Sequence, residues 1–279
     1  ADIGQGSDMV IRMVCAETLG APLDSVRLHA PDTDLTPNSG STCASRQTYV
    51  TGEAVHRASK DAFENLVRAA ADRLEVPSDL VCWEGDRVFV STHPERSIPL
   101  ENLNGGGKTV VTGEGVYNPD TTALDRETGT GNPYGTYAFG AQVALVEVDP
   151  EVGRVDVLEM CAAHDVGRTI HKVNTEGQID GGIAMGVGQA LMENYVHLKT
   201  PSLTDYLLPT SADVPEVTSV LVEDPEPTGP FGAKGVGEPA MIPTLAAIAN
   251  GVYRATGVRV VRLPISPQVI AKAKAQPDV

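Results

Sequence analysis

The chain has 279 residues, a net charge of −16, and 41% hydrophobic but only 4% aromatic residues. So strong an acidic excess repels phosphate backbones and anionic membranes, and so few aromatics offer no stacking platform for single strands, which excludes nucleic acid and membrane as broad partners. The length allows one large domain or two ordinary ones, with a core of Val, Ile, Leu and Ala. Four cysteines (Cys15, Cys43, Cys82 and Cys161) lie far apart with no C-x-x-C pair. That spacing fits reduced thiols in a cytoplasmic protein better than a disulfide framework or a zinc site. There is no apolar run of about 18 residues and no secretory signal. The opening ADIGQGSDMV has no initiator Met and runs from a turn straight into a helix. It reads as a chain that is truncated, processed or preceded by further residues.

In chain order, Ser7 and Asp8 are positioned to cap a helix that runs to about Leu19 and stops at Gly20. SVRLHA (25–30) reads as a short strand, and Pro31 to Ser45 as a loop. A long helix is expected from about Arg46 to Leu74, where Val50, Ala54, Ala58, Ala62 and Leu66 recur every four residues. Short strands at 80–83 and 87–90 form a hairpin across Glu84–Asp86. GGGKTVVTGEGVY (105–117) reads as a glycine run followed by a strand. TYAFGAQVALVEVDP and RVDVLEMCAAHD alternate around the turn Asp149–Gly153, the plainest hairpin in the sequence. Helices follow at about 174–195, 243–256 and 268–274, with a strand at 217–224. Strands and helices alternate without a βαβ repeat, so the fold class is α+β with mixed sheets and long packing helices.

Several segments could carry chemistry. Gly4-Gln5-Gly6 precedes a helix start, and GSTCASRQ (40–47) precedes another. Each reads either as an ordinary turn or cap, or as an anion-ready helix N-terminus. The helix at 174–195 contains Gly177, Gly181, Gly182, Gly186 and Gly188. Each glycine costs up to about 1 kcal/mol relative to Ala, so something must come close to this backbone. It is either another element or a ligand near Gln178. His164, Asp165 and His171 fit no zinc spacing and read as structural, and GTGNPYG (129–135) reads as a turn cluster. GPFGAKGVGEPAMIP (229–243) places Glu238 on a stiff loop among Phe231, Val236, Met241 and Ile242. Burial there would disfavour its charged form and make it a candidate general base, unless Lys234 pairs with it. No G-x-S-x-G elbow is present, which argues against a serine hydrolase.

Taken together and in order, these segments resemble one family. Gly-Gln-Gly, then S-T-x-A-S before a long helix, then H-D-V-G-R…N…E-G-Q-I-x-G-G, then G-A-K-G-V-G-E-P, are similar to the molybdenum-binding subunit of the xanthine dehydrogenase / aldehyde oxidoreductase family of molybdenum hydroxylases. The likeness covers essentially the whole chain as the C-terminal molybdopterin-binding region of such a subunit, divisible into α+β subdomains at about 1–135 and 136–279.

The resemblance implies an oxidoreductase that hydroxylates an electron-poor carbon with water-derived oxygen, Glu238 being the base that takes the proton. It implies cofactor contacts from Gly4, Gln5, Gly6, Thr42, Cys43, Ala44, Ser45, Arg46, Gln47, Gln178, Lys234, Gly235, Val236 and Gly237. Molybdenum would be held through the pterin dithiolene of molybdopterin, in its cytosine dinucleotide form, and not by protein ligands. The family's full subunit is much longer, so a larger molybdenum-subunit chain is expected to complete the site, in a split or cleaved arrangement like that of nicotinate dehydrogenase. This chain has no cysteine pattern for an iron–sulfur cluster. The [2Fe–2S] clusters and FAD are therefore expected on iron–sulfur and flavin partner subunits. NPYGTYAFGAQV looks closest to the branch acting on N-heteroaromatics and purines. Aldehyde oxidation, or a non-catalytic cofactor-binding half-subunit, are the alternatives.

Overall fold

The computed structural model describes residues 1–103 and 111–274. The chain divides into two compact units. The first comprises Ala1–Thr42, Arg46–Gly135 and Pro227–Pro230, and the second Cys43–Ser45, Thr136–Glu226 and Phe231–Val279.

In the first unit, helix α1 (Ser7–Leu19) packs on the long helix α2 (Gly52–Leu74). A π-helical turn, Gln47–Thr51, leads into α2. Strands β1 (Val81–Glu84), β2 (Arg87–Val90) and β3 (His93–Pro99) form an antiparallel meander. Leu66, Ala70 and Ala71 of α2 close a small core with Val81, Val88 and Leu103.

The second unit has a three-stranded sheet in sequence order. Strand β4 (Gly140–Asp149) runs antiparallel to β5 (Arg154–Asp165), and β6 (Glu216–Val222) runs parallel to β5. The parallel pair is bridged by α3 (Lys172–Leu191). Helix α4 (Ile242–Thr256) lies on β4 and against α3, and α5 (Pro267–Lys274) follows. Met160 and Ala162 of the sheet, Ile179, Ile183 and Val187 of α3, and Ile248 and Val252 of α4 make the main core.

The predicted hairpins are present. Three expectations fail for physical reasons. Residues 26–30 form no strand, because the Arg12 guanidinium takes the carbonyls of Leu23 (3.2 Å) and Val26 (3.1 Å), leaving this segment tied to α1 instead of a sheet. The strand expected within 105–117 lies partly outside the described residues. From Val111 to Tyr117 there is no strand, only a segment bound to α2 through Asn65 to Thr112 O (2.8 Å) and Glu114 N to Asp61 (2.9 Å). A side chain at Gly113 or Gly115 would strike the backbone of Ala54, Ala58 or Ala62, so the alanine spacing of α2 is a track for this segment. Ser7 and Asp8 do not cap α1 through their side chains. Asp2 does so from upstream, accepting from Gly4 N (2.7 Å) and Asp8 N (3.0 Å).

The glycines of α3 separate into two kinds. A Cβ on Gly182 would stand 2.7 Å from Ala240 Cβ, and one on Gly186 would stand 2.5 Å from Thr244 Cβ. These two let α4 and the preceding loop approach closely. Gly177 and Gly181 face open space. Gly181→Ala is therefore expected to raise stability to thermal unfolding by up to about 1 kcal/mol through helix propensity. Gly186→Ala is expected to lower it by about 1–3 kcal/mol through overpacking. Equal shifts of the two melting curves would refute this division.

Candidate functional site

The centre of the second unit's site is a turn at Ala44 and Ser45. Both residues adopt left-handed backbone, with φ of 55° and 51°. For residues with a Cβ this costs of order 1–2 kcal/mol each. The turn is held by a reciprocal pair of hydrogen bonds. Ala44 N donates to Glu238 Oε1 (2.9 Å), and Glu238 N donates to Ser45 Oγ (2.7 Å). Gly235 is equally constrained, because a Cβ there would collide with the Ser45 carbonyl.

The loop that carries Glu238 is fixed at its far side by a buried ion pair. Lys234 Nζ lies 2.6 Å from Asp165 Oδ2, and the two residues are only 8% and 6% exposed. Each charge satisfies the other, and removing either would strand a buried charge. The backbone runs alongside residues 166–168. Lys234 N donates to Val166 O (3.0 Å) and Arg168 N to Gly232 O (2.8 Å).

Two site expectations are corrected here. Lys234 pairs with Asp165, not with Glu238, so its side chain is a structural anchor, and its backbone N–H is taken by Val166 O. Glu238 is exposed, not buried. Of the apolar neighbours that suggested burial, Val236 packs against the core, while Ile242 is itself exposed. The second carboxylate oxygen, Oε2, has no partner among the described residues, whereas Oε1 is occupied by Ala44 N.

Gln178, on α3, brings its Oε1 to 3.9 Å from where a Gly237 Cβ would stand. Its amide makes no hydrogen bond among the described residues. The structure thus gathers Ala44, Ser45, Gln178, Gly235, Gly237 and Glu238 at one place in this unit.

Of the other expected residues, Gly4, Gln5, Gly6, Thr42, Arg46 and Gln47 lie in the first unit, and Cys43, Lys234 and Val236 in the second. Gln5 closes its own turn, accepting from Ile3 N (2.6 Å) and donating to Ser7 Oγ (2.9 Å). Gly4, with φ of 103°, faces open space. Thr42 Oγ1 accepts from Gln47 Nε2 (3.0 Å) and donates to Ala1 O (2.7 Å). Arg46 is committed to the carbonyls of Ser39 (3.0 Å) and Ser41 (2.8 Å), wrapping its own loop. Cys43 is exposed.

Asp2 organises this turn and was not singled out by the sequence. Burial pushes its pKa up, but the N–H groups of Asp8, Gly4 and Gly6 and the Ser7 hydroxyl outweigh that and hold it below the ordinary value. His164 and His171 have structural roles. His171 caps α3 by accepting from Asn174 N (3.2 Å). His164 is buried beside Gln142, and desolvation lowers its pKa. Among the described residues no cluster of His, Cys, Asp or Glu could hold a metal ion, and no helix is long and apolar enough to cross a membrane.

Residues 1–215 match the family of molybdopterin cofactor-binding domains. The chain belongs to that family. It is 34% identical over 276 residues to the xanthine dehydrogenase molybdenum-binding subunit of Escherichia coli O157:H7, covering 96% of this chain and 36% of that protein. It is 33% identical to the aldehyde oxidoreductase of Megalodesulfovibrio gigas over 98% of this chain and 28% of that one. The crystal structure of quinoline 2-oxidoreductase from Pseudomonas putida 86 superposes with a TM-score of 0.80 at 29% identity, over 99% of this chain and 36% of the other. The chain thus spans about a third of the length of these relatives.

The residues present fit a molybdopterin cofactor. A large anionic ligand needs hydrogen-bond donors and room for close approach. Among the described residues the Gln178 amide makes no hydrogen bond, and a side chain at Gly237 would meet nothing closer than 3.6 Å, so both leave room for a ligand.

The Asp2 carboxylate gives a pH test of the Gln5 turn. Its folded pKa is depressed, so its contribution is complete above the unfolded value near 3.8 and is lost as pH falls through the folded value. Asp2→Asn should cost about 0.5–1 kcal/mol in denaturant unfolding at pH 7. The gap to the unsubstituted protein should close in acid. A gap that persists at low pH would show that the cap is not electrostatic.

Proposed function

We propose that this chain supplies the general base and part of the cofactor cradle of a molybdenum hydroxylase. The single observation that carries the reading is the state of Glu238. One oxygen is pinned by Ala44 N, the backbone is pinned by Ser45, and the other oxygen has no partner among the described residues on a side chain that is exposed. A carboxylate that bonds through one oxygen can serve structure alone, as Asp61 does for Glu114 N, but it leaves the other oxygen available. One held in a fixed direction with an idle oxygen is poised to accept a proton at Oε2.

Molybdopterin with its molybdenum, when bound, supplies the redox chemistry and the activated, water-derived oxygen. The residues of this chain do the rest. Glu238 Oε2 accepts the proton. Gln178 would donate to the pterin end, and the backbone from Lys234 to Gly237 would be brought beside the cofactor. Gly4, Gln5 and Gly6 would contact the pterin and its phosphate, and Thr42, Cys43, Ala44, Ser45, Arg46 and Gln47 would wrap the cofactor, in its cytosine dinucleotide form. A larger molybdenum-subunit chain would complete the substrate pocket, and iron–sulfur and flavin subunits would take the electrons.

The substrate proposed is a small N-heteroaromatic or purine-like molecule with an electron-poor carbon. Likeness to the xanthine dehydrogenase subunit and to quinoline 2-oxidoreductase supports it. Likeness to an aldehyde oxidoreductase supports a second reading, oxidation of an aldehyde by the same proton transfer.

Glu238→Gln separates the base from the scaffold. The glutamine carbonyl can still accept from Ala44 N, so the turn persists while the proton acceptor is lost. In the assembled enzyme, turnover should fall by about 10²–10⁴-fold with molybdenum content near normal. Retained turnover would reject Glu238 as the base.

A further inference from the structure

We propose that Gln142 and His164 are positioning residues for Glu238: a buried pair behind the loop that fixes the direction of the carboxylate without touching cofactor or substrate. This rests on the reading of Glu238 as the base.

Gln142 stands on β4 at a position where the strand alternation turns inward, a polar side chain in an apolar register. Its amide is engaged three times. Nε2 donates to Ala240 O at 2.7 Å and lies 2.9 Å from His164 Nε2, and Oε1 accepts from Thr244 Oγ1 at 2.7 Å. A carbonyl can only accept, so the bond to Ala240 fixes which end of the amide is nitrogen. The second hydrogen of Nε2 then points at His164 Nε2, which must be the bare, accepting nitrogen of a neutral ring. The ring proton sits on Nδ1, a buried atom with no partner among the described residues. An unpaired buried donor is destabilising. The opposite tautomer, or a protonated ring, would set two donors face to face, so the network has one self-consistent arrangement. Burial of His164 favours its neutral form and works in the same direction.

The target of this network explains its cost. Ala240 is held on two sides, by Gln142 at its carbonyl and by Gly182 of α3, which admits its methyl group. Ala240 is two residues beyond Glu238, and the residue between them is Pro239. Proline has a locked φ, so little slack separates the anchored alanine from the glutamate. On the other side, Glu238 N is bound to Ser45. The carboxylate therefore stands between two fixed points, and loosening Ala240 releases one of them.

The test uses the assembled enzyme with Gln142→Leu, His164→Leu and the conservative His164→Gln, whose Oε1 can take over as acceptor. Amide hydrogen exchange of residues 240–244 is read alongside kcat, KM and molybdenum content. Gln142→Leu and His164→Leu are expected to speed exchange in this segment and to lower kcat by about tenfold to a hundredfold, the cost of misplacing a catalytic group by about 1 Å, with KM and molybdenum content little changed. His164→Gln is expected to restore both exchange and kcat towards the unsubstituted enzyme, and it keeps the test open if the leucine variants do not accumulate. Unchanged exchange and kcat in Gln142→Leu would overturn the proposal, as would a His164→Gln enzyme as impaired as His164→Leu. The outcomes for the base are separable. Faster exchange in Gln142→Leu beside a fully active Glu238→Gln enzyme would reject the base and keep the loop anchor.

Discussion

The reciprocal hydrogen bonds between the Ala44–Ser45 turn and Glu238 are the constraint around which the second unit is arranged. They join backbone segments 193 and 194 residues apart in sequence and hold a left-handed turn that would otherwise be strained. Gly235 must be glycine because the Ser45 carbonyl occupies the space of its side chain. Each oxygen and nitrogen used in this clamp is removed from the list of groups free to act. What remains is one carboxylate oxygen, pointing in a fixed direction.

The supports for that oxygen are buried and the oxygen is not. Lys234 and Asp165 neutralise one another inside the fold, and Gln142, His164 and Thr244 satisfy the far end of the loop. Neither set presents a charge to the exposed face. This division gives the loop rigidity from the interior while leaving the reacting group to the chemistry of a bound cofactor. It also accounts for two of the α3 glycines, Gly182 and Gly186, which seat the loop and the start of α4. Gly177 and Gly181 on the same helix meet no packing partner among the described residues.

Much of the fold was legible in the sequence because the relevant patterns are local. β4 alternates strictly and turns back at Asp149–Gly153 into β5, and α2 and α4 have clear apolar faces. β3 was not legible: HPERSIP is exposed almost throughout and lacks alternation, and it pairs only because β2 offers it an edge. Residues 25–30 looked like a strand, but the Arg12 side chain takes the carbonyls of Leu23 and Val26. A hydrogen bond from a distant arginine leaves no trace in a hydropathy pattern.

The site was legible by motif more than by physics. Apolar neighbours suggested that Glu238 is buried, yet Ile242 is itself exposed, the others are only half-buried, and the carboxylate stays at the surface. Lys234 looked like its partner from spacing alone, whereas the true partner, Asp165, is 69 residues away. Gln142 could have been noticed as the one polar residue on the inward face of β4. Its meaning depends on Ala240 and Thr244, which only the folded chain brings to it.

The most direct measurement is an experimental structure of the assembled, cofactor-loaded enzyme that contains this chain. The account predicts that Glu238 Oε1 still accepts from Ala44 N, and that Oε2 lies within hydrogen-bond reach of a ligand of the molybdenum. A Glu238 side chain turned away from the metal, or one that has left Ala44 to bind another protein group through both oxygens, would contradict it.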